Sequence, residues 1–263
     1  IGPWGHSHNT PPEQEGLFPS SRRGHPELEW FDHIRKGSPL TALKEGEVTY
    51  YTAGSGWRRT TSLGADSRGA LTLFPDAEGG LSPTPAKGSR AYDYDPENPA
   101  SFPGGANVFQ SGSPGQQPQP TPDFREDVIS FVSEPFERDV TLDGEIKVRL
   151  EVSSNRSDTA FFVRADAERD GTMWYLRDSI VSLRDELGGY APGERVTLEF
   201  TLDPVAWVVK QGERVRFDIS SSNFPTYNAH SNTAVYWADA KRTRIARNTV
   251  YMEGSAFTFT TRE

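Results

Sequence analysis

The chain has 263 residues, 34% of them apolar, with 24 glycines, 20 prolines and no cysteine. This composition suits one large, turn-rich β domain with an appendage, and it excludes disulfides, thiolate metal sites and a cysteine nucleophile. A formal charge of −9 argues against a nucleic-acid backbone or an anionic membrane as partner, and no apolar run approaches the ~18–20 residues that span a bilayer.

Ile1 stands in a strand-like I-G-P-W context without a methionine or a leader, which reads as a chain that starts inside a larger protein. A missing signal peptide then carries no weight, and the compartment stays open, with the cytoplasm preferred. Residues 1–25 read as the end of a strand followed by an irregular loop, which holds His6, His8 and His25. Pro26 to Lys36 is the one clear helix. Proline suits its first turn, Glu27 and Glu29 its N-terminal half, Arg35 and Lys36 its end, and Gly37 its stop. Leu28 with Phe31, and Trp30 with Ile34, give it an apolar face. A helix this short is marginal alone, so that face needs a partner.

From Val48 the pattern changes to strands. Val48–Tyr51 and Leu71–Phe74 come first, separated by a turn region around Trp57. Residues 75–123 are rich in Pro, Gly, Ser and Gln and read as a long surface excursion. Further strands are predicted at Val128–Val132, Phe136–Leu142, Ile146–Val152, Ala160–Ala167, Met173–Leu183, Arg195–Leu202, Ala234–Tyr236, Thr249–Met252 and Phe257–Thr260. Around Ala206–Pro225, Trp207–Val209 and Val215–Ile219 are expected to form a hairpin turned by Gly212. There Val215, Phe217 and Ile219 point inward, while Arg214, Arg216, Asp218 and Ser220 point to the other face. Many strands without intervening helices mean a sandwich or barrel, and a jelly roll is expected.

Several groups carry chemistry as one of two readings. Asp93, Asp95 and Glu97 alternate as in a calcium loop, but the EF-hand pattern lacks its glycine and its closing glutamate, so a structural turn is preferred. Asn155-Arg156-Ser157 is a formal glycosylation sequon. Arg177-Asp178 and Ser220 to Asn223 read as buried hydrogen-bonding groups at strand ends. Trp174, Tyr175, Trp207, Tyr236 and Trp237 are either core or a sugar platform.

G-P-W-G-H-S at residues 2–7 and E-W-F-D-H-I-R-K-G at 29–37 resemble the C-terminal portion of the cocaine-esterase, α-amino-acid ester hydrolase and X-Pro dipeptidyl-peptidase (CocE/NonD) group of serine hydrolases. The likeness continues through Y-D-Y-D-P-E-N-P (92–99), R-E-D-V-I-S-F-V-S-E-P-F (125–136), D-T-A-F-F-V-R (158–164) and F-D-I-S-S-S-N-F-P (217–225). It implies a galactose-binding-like jelly roll over 46–263, preceded over 1–45 by the last loop and helix of an α/β-hydrolase domain. It also implies that His6 is the general base of a Ser-His-Asp triad, that no metal or cofactor is needed, and that the substrate is a small ester, an amide or a peptide. Ala160 and Ser179 depart from the family pattern and question local turn geometry. No G-x-S-x-G occurs in the chain, so the resemblance places the nucleophile and the triad aspartate upstream of Ile1. The partners implied are the N-terminal hydrolase and cap domains of the same protein, and self-association stays open. Alternatives are a non-catalytic carbohydrate-binding jelly roll, and a processed subunit whose Ile1, Trp4, Trp30, Phe31 and Ile34 are covered by its other half.

Overall fold

The computed structural model describes residues 1–2, 26–41, 43–64, 69–106, 115–236 and 239–262. Helix α1 (Pro26–Lys36) forms where its end signals predict, and Lys36 reaches back to Asp32 at 2.7 Å. Gly37 closes it at φ 70°, its N–H donating to the His33 carbonyl at 2.9 Å. Leu28, Phe31 and Ile34 are each more than half exposed, so the apolar face of α1 is left open.

β1 (Val48–Thr52) and β2 (Gly56–Thr60) form a hairpin in which Tyr51 meets Trp57 edge-to-face at 5.3 Å. The region expected as a turn around Trp57 is therefore a strand. The remaining strands are β3 (Gly69–Pro75), β4 (Gly80–Ser82), β5 (Ser89–Tyr94), β6 (Ile129–Ser133), β7 (Val140–Ser154) and β8 (Ala160–Arg169). After them come β9 (Thr172–Ser182), the short helix α2 (Leu183–Leu187), β10 (Val196–Val209), β11 (Val215–Ser220) and β12 (Ala246–Arg262).

These build a jelly-roll-like sandwich of two layers. One layer runs β10-β7-β12, and the outer edge of β12 is shared by β5 and β3. The other runs β4-β6-β11-β8-β9, and β3 joins the two layers by pairing with β4 at Phe74 and Pro75. The core lies between them. Phe217 of β11 stacks on Phe257 of β12 at 3.9 Å and lies 5.3 Å from Phe259. Val215, Phe217 and Ile219 are fully buried, as their alternation predicts.

Several expectations are corrected. Trp207–Val209 and Val215–Ile219 do not pair as a hairpin. The first segment ends β10 against β7, and the second is β11 between β6 and β8. Gly212 does turn at φ 86°, but its N–H goes to Phe136, and the chain arches from one layer to the other. The expected strand pairs 136–142 and 146–152, 195–202 and 207–209, and 249–252 and 257–260 merge into β7, β10 and β12, with β7 beginning only at Val140. Gly144 or a register shift interrupts each alternation without ending the ladder. Met173–Leu183 ends one residue early in α2, which Ser182 caps, and Ala234–Tyr236 is a bend.

Residues 75–123 are more than a surface excursion. They contribute β4 and β5, and they bury Tyr92, Tyr94, Ala100 and Phe102. Ala100 and Phe102 join Val128 and Phe162 in a second apolar cluster on the outer side of β8. That return explains the other correction. Arg216 and Asp218 are buried because the excursion covers their face of β11, and Ser220 is buried as its strand-end reading expects.

Candidate functional site

His6, the sequence-predicted base, lies outside the described residues, as do His8, His25 and Trp237. The structure does describe what flanks it. On one side Ile1 is fastened to the hairpin edge, donating to the Thr49 carbonyl at 2.7 Å and accepting from the Tyr51 N–H at 3.1 Å. On the other side stands α1 with its open apolar face.

The densest polar constellation lies in the sandwich and arises from a repeated local pattern. Val163-Arg164-Ala165-Asp166 on β8 and Val215-Arg216-Phe217-Asp218 on β11 carry the same V-R-x-D order. The strands are antiparallel, so Arg216 falls opposite Asp166 and Arg164 opposite Asp218. Arg164 also faces Asp178 of β9, and Asp218 faces Ser130 of β6. Charges therefore alternate in sign across the sheet.

Asp166 is central to this layer. It accepts from Arg164 Nε at 3.2 Å and from Arg216 Nη2 at 2.9 Å. Asp218 lies 3.1 Å from Arg216 on its other side, and Asp178 lies 4.0 Å from Arg164. The arginines also reach outward to the excursion. Arg164 donates to the Pro103 carbonyl at 2.5 Å and Arg216 to the Pro120 carbonyl at 2.7 Å. Tyr175 packs beneath the Arg164 guanidinium at 4.4 Å. Burial pushes Asp218 up to about 7, with the neighbouring Asp166 carboxylate adding to the rise and Arg216 opposing it. Burial also raises Asp178, against the pull of Arg164 and the Tyr227 hydroxyl, which donates to it at 3.0 Å. Sealed beneath backbone carbonyls, this layer clamps the excursion to the sheet.

Three of the expected strand-end groups act in the same way, while Arg177 is only half-buried and the buried Ser220 hydroxyl has no partner among the described residues. Ser221 joins Tyr92 (3.0 Å) and Asn248 (2.8 Å), Ser222 accepts from the Ala100 N–H at 2.8 Å, and Asn223 accepts from the Phe102 N–H at 3.0 Å. His230 was not singled out by its sequence. Its Nε2 lies 3.3 Å from Asp158, while Nδ1 accepts from the Asn232 N–H at 3.0 Å. Both ring nitrogens are thereby used in pinning the loop that precedes β12.

The remaining candidates resolve as structural. Asp95 Oδ1 accepts from the Glu97 N–H at 3.0 Å in a side-chain-capped turn, and Asp93 pairs with Arg247 at 3.2 Å on the surface. The open depression of about 290 Å³ beside Asp93, Asp95 and Asp127 is also lined by Arg125, which forks onto Asp127 at 2.7 and 3.0 Å. Among the described residues no group of three or more His, Asp or Glu is arranged to hold a metal. Among the described aromatics Tyr175 and Trp207 are buried while Tyr236 is exposed, so these share no open platform. Ala160 and Ser179 sit inside the β8–β9 ladder, opposite Ser182 and Val163, and disturb no turn. In the sequon, the Asn155 side chain accepts from the Arg247 N–H at 2.9 Å.

Residues 41–258 match the family model of the X-Pro dipeptidyl-peptidase C-terminal non-catalytic domain. Cocaine esterase of Rhodococcus sp. (strain MB1 Bresler) is 31% identical over 211 residues, 78% of this chain and 34% of that protein. An α-amino-acid ester hydrolase superposes with a TM-score of 0.80 at 21% identity, over 99% of this chain and 49% of that one. An aminopeptidase from a marine sediment Thaumarchaeota archaeon gives a TM-score of 0.75 at 18% identity, over 95% and 45%. At these identities the two structures bear on the fold, and the chain spans about a third to a half of these relatives' length. The family match runs from just before β1 into β12, and the chain belongs to the X-Pro dipeptidyl-peptidase C-terminal non-catalytic domain family, the domain that cocaine-esterase-like hydrolases carry.

Proposed function

We propose that this chain is the C-terminal part of a serine hydrolase that cleaves an ester or amide bond, X-Pro peptides included, through an acyl-enzyme. Residues 1–45 are the tail of its catalytic domain and residues 46–263 its jelly roll. His6 takes the proton from a serine hydroxyl as that oxygen attacks the substrate carbonyl, then returns it to the leaving group. Water repeats the exchange to release the acid. The serine and the aspartate that orients His6 belong to the upstream polypeptide, so residues 1–263 alone lack the attacking group. This chemistry calls for no metal or cofactor. The sandwich, stiffened by its buried charge layer, holds the catalytic domain and walls the substrate cleft.

One observation carries this reading. The non-catalytic family match begins at residue 41, which leaves the G-P-W-G-H loop and the open-faced helix α1 ahead of it. The test is turnover of an activated aryl ester by the longer polypeptide and by residues 1–263. In the longer protein His6→Gln is expected to lower kcat/KM by about 10⁴-fold or more, with KM little changed. Residues 1–263 alone are expected to be inert. Turnover by 1–263 that His6→Gln abolishes defeats the divided-triad reading. A longer protein whose His6→Gln variant stays within about tenfold of the parent removes His6 from the chemistry.

A further inference from the structure

The edge of β1 that faces away from β2 is occupied at two places. Ala53 pairs in parallel with Trp207 at the end of β10, its N–H going to Ala206 and its carbonyl receiving the Val208 N–H. Beside it, Ile1 donates to Thr49 and accepts from Tyr51, which are the two bonds of a parallel bridge opposite Tyr50. The β10 pairing with this edge is that single bridge, and Pro204, three residues ahead of Trp207, has no N–H to extend it towards Tyr50.

We propose that this edge is the docking strand for the polypeptide immediately upstream of Ile1, which continues as a strand parallel to β1, so that the β1–β2 hairpin, contributed by residues 46–263, is added to the edge of the catalytic domain's sheet. The inference rests on the proposed upstream domain. In a strand the N–H and C=O of one residue point to the same edge, so the Thr49 N–H faces the side where Ile1 sits. A continued parallel ladder brings to it the carbonyl two residues ahead of Ile1. The ladder extends only in that direction, because the next downstream position belongs to Pro3, which has no N–H. The hairpin has reason to be joined, since a two-stranded ribbon of five residues a side is marginal by itself. It is tied to the sandwich at the Ala53 bridge and through the Tyr50 hydroxyl, which donates to Asp143 at 2.9 Å. The partner is therefore a β-strand recognised through its backbone, and α1, whose apolar face is open, lies between the two halves of the edge in sequence.

Residue-resolved hydrogen exchange on the longer polypeptide and on residues 1–263 tests this. Thr49 is expected to exchange at least about tenfold more slowly in the longer protein, with Tyr51 protected in both. Thr49→Pro, which removes the edge donor and leaves the ladder to β2, is expected to lower the Tm of the longer protein by several degrees and to leave that of 1–263 unchanged. Equal Thr49 exchange in the two proteins, with residues 28–34 protected only in the longer one, overturns strand docking while keeping a packed upstream domain. Equal exchange at both places overturns the docking edge and the packed catalytic domain together.

Discussion

Two buried aspartates in one layer respond in opposite ways to losing their charge. Asp166 lies between Arg164 and Arg216, and Asp166→Asn removes the anion that compensates both guanidinium groups. The expected cost is about 3–5 kcal/mol, the usual range for breaking a buried pair. Asp218 contacts one arginine and is pushed up to about 7 by burial and by the Asp166 carboxylate. Its folded-state value is raised, so the folded protein holds the proton more tightly than the unfolded chain. Its contribution to stability is full below about 4 and is lost as pH rises towards 7. The interval from 3.8 to about 7 corresponds to at most about 4 kcal/mol, and sharing of charge with Arg216 and Asp166 brings the expected effect to about 2–4 kcal/mol. Asp178, raised by its own burial, works in the same sense. Asparagine at 218 imitates the protonated acid, so Asp218→Asn should match the parent below about pH 4 and exceed it by a margin that grows from pH 5 to pH 8. Urea unfolding followed by tryptophan fluorescence from pH 5 to 8.5 reads the difference. An Asp218→Asn offset that is constant with pH, or a loss as large as that of Asp166→Asn at pH 8, refutes the reasoning.

Two further substitutions test the packing. Phe217→Ala empties the stack on Phe257 at 3.9 Å between the layers and is expected to cost about 3–5 kcal/mol in chemical denaturation. A loss under about 1 kcal/mol would mean that the layers close over the gap. Ser222→Ala strands the buried Ala100 N–H, which it accepts at 2.8 Å, for about 1–3 kcal/mol. Its local signature is faster exchange at Ala100 and easier proteolysis within residues 95–106, and unchanged exchange there argues against this serine as the anchor of the excursion.

Much of the fold is legible in local pattern. Helix α1 announces itself through its proline, its charge order and its closing glycine, and most ladder segments lie where alternation puts them. The errors share a cause. A bulge such as the one in β12 between Tyr251 and Ala256 resets the alternation, so one strand reads as two. The turn at Gly212 has the same residues whether it closes a hairpin or an arch, and only long-range pairing separates them. For the candidate site, Ser221, Ser222 and Asn223 are the buried hydrogen-bonding groups their sequence predicts, whereas the buried Ser220 hydroxyl has no partner among the described residues. The charge layer was missed as a unit, although the twin V-R-x-D segments could have found it once β8 and β11 were known to be antiparallel neighbours.

From its own residues the chain determines that 215–220 is a strand and that Val215, Phe217 and Ile219 turn inward, because side-chain alternation is a property of neighbouring peptide units. Whether Arg216 and Asp218 meet water was decided by the return of Pro103 and Pro120 over that sheet. Period two records which residues share a face, and it holds no information about which distant segment will cover it. Burial, and with it the protonation of Asp218, belongs to the tertiary structure alone.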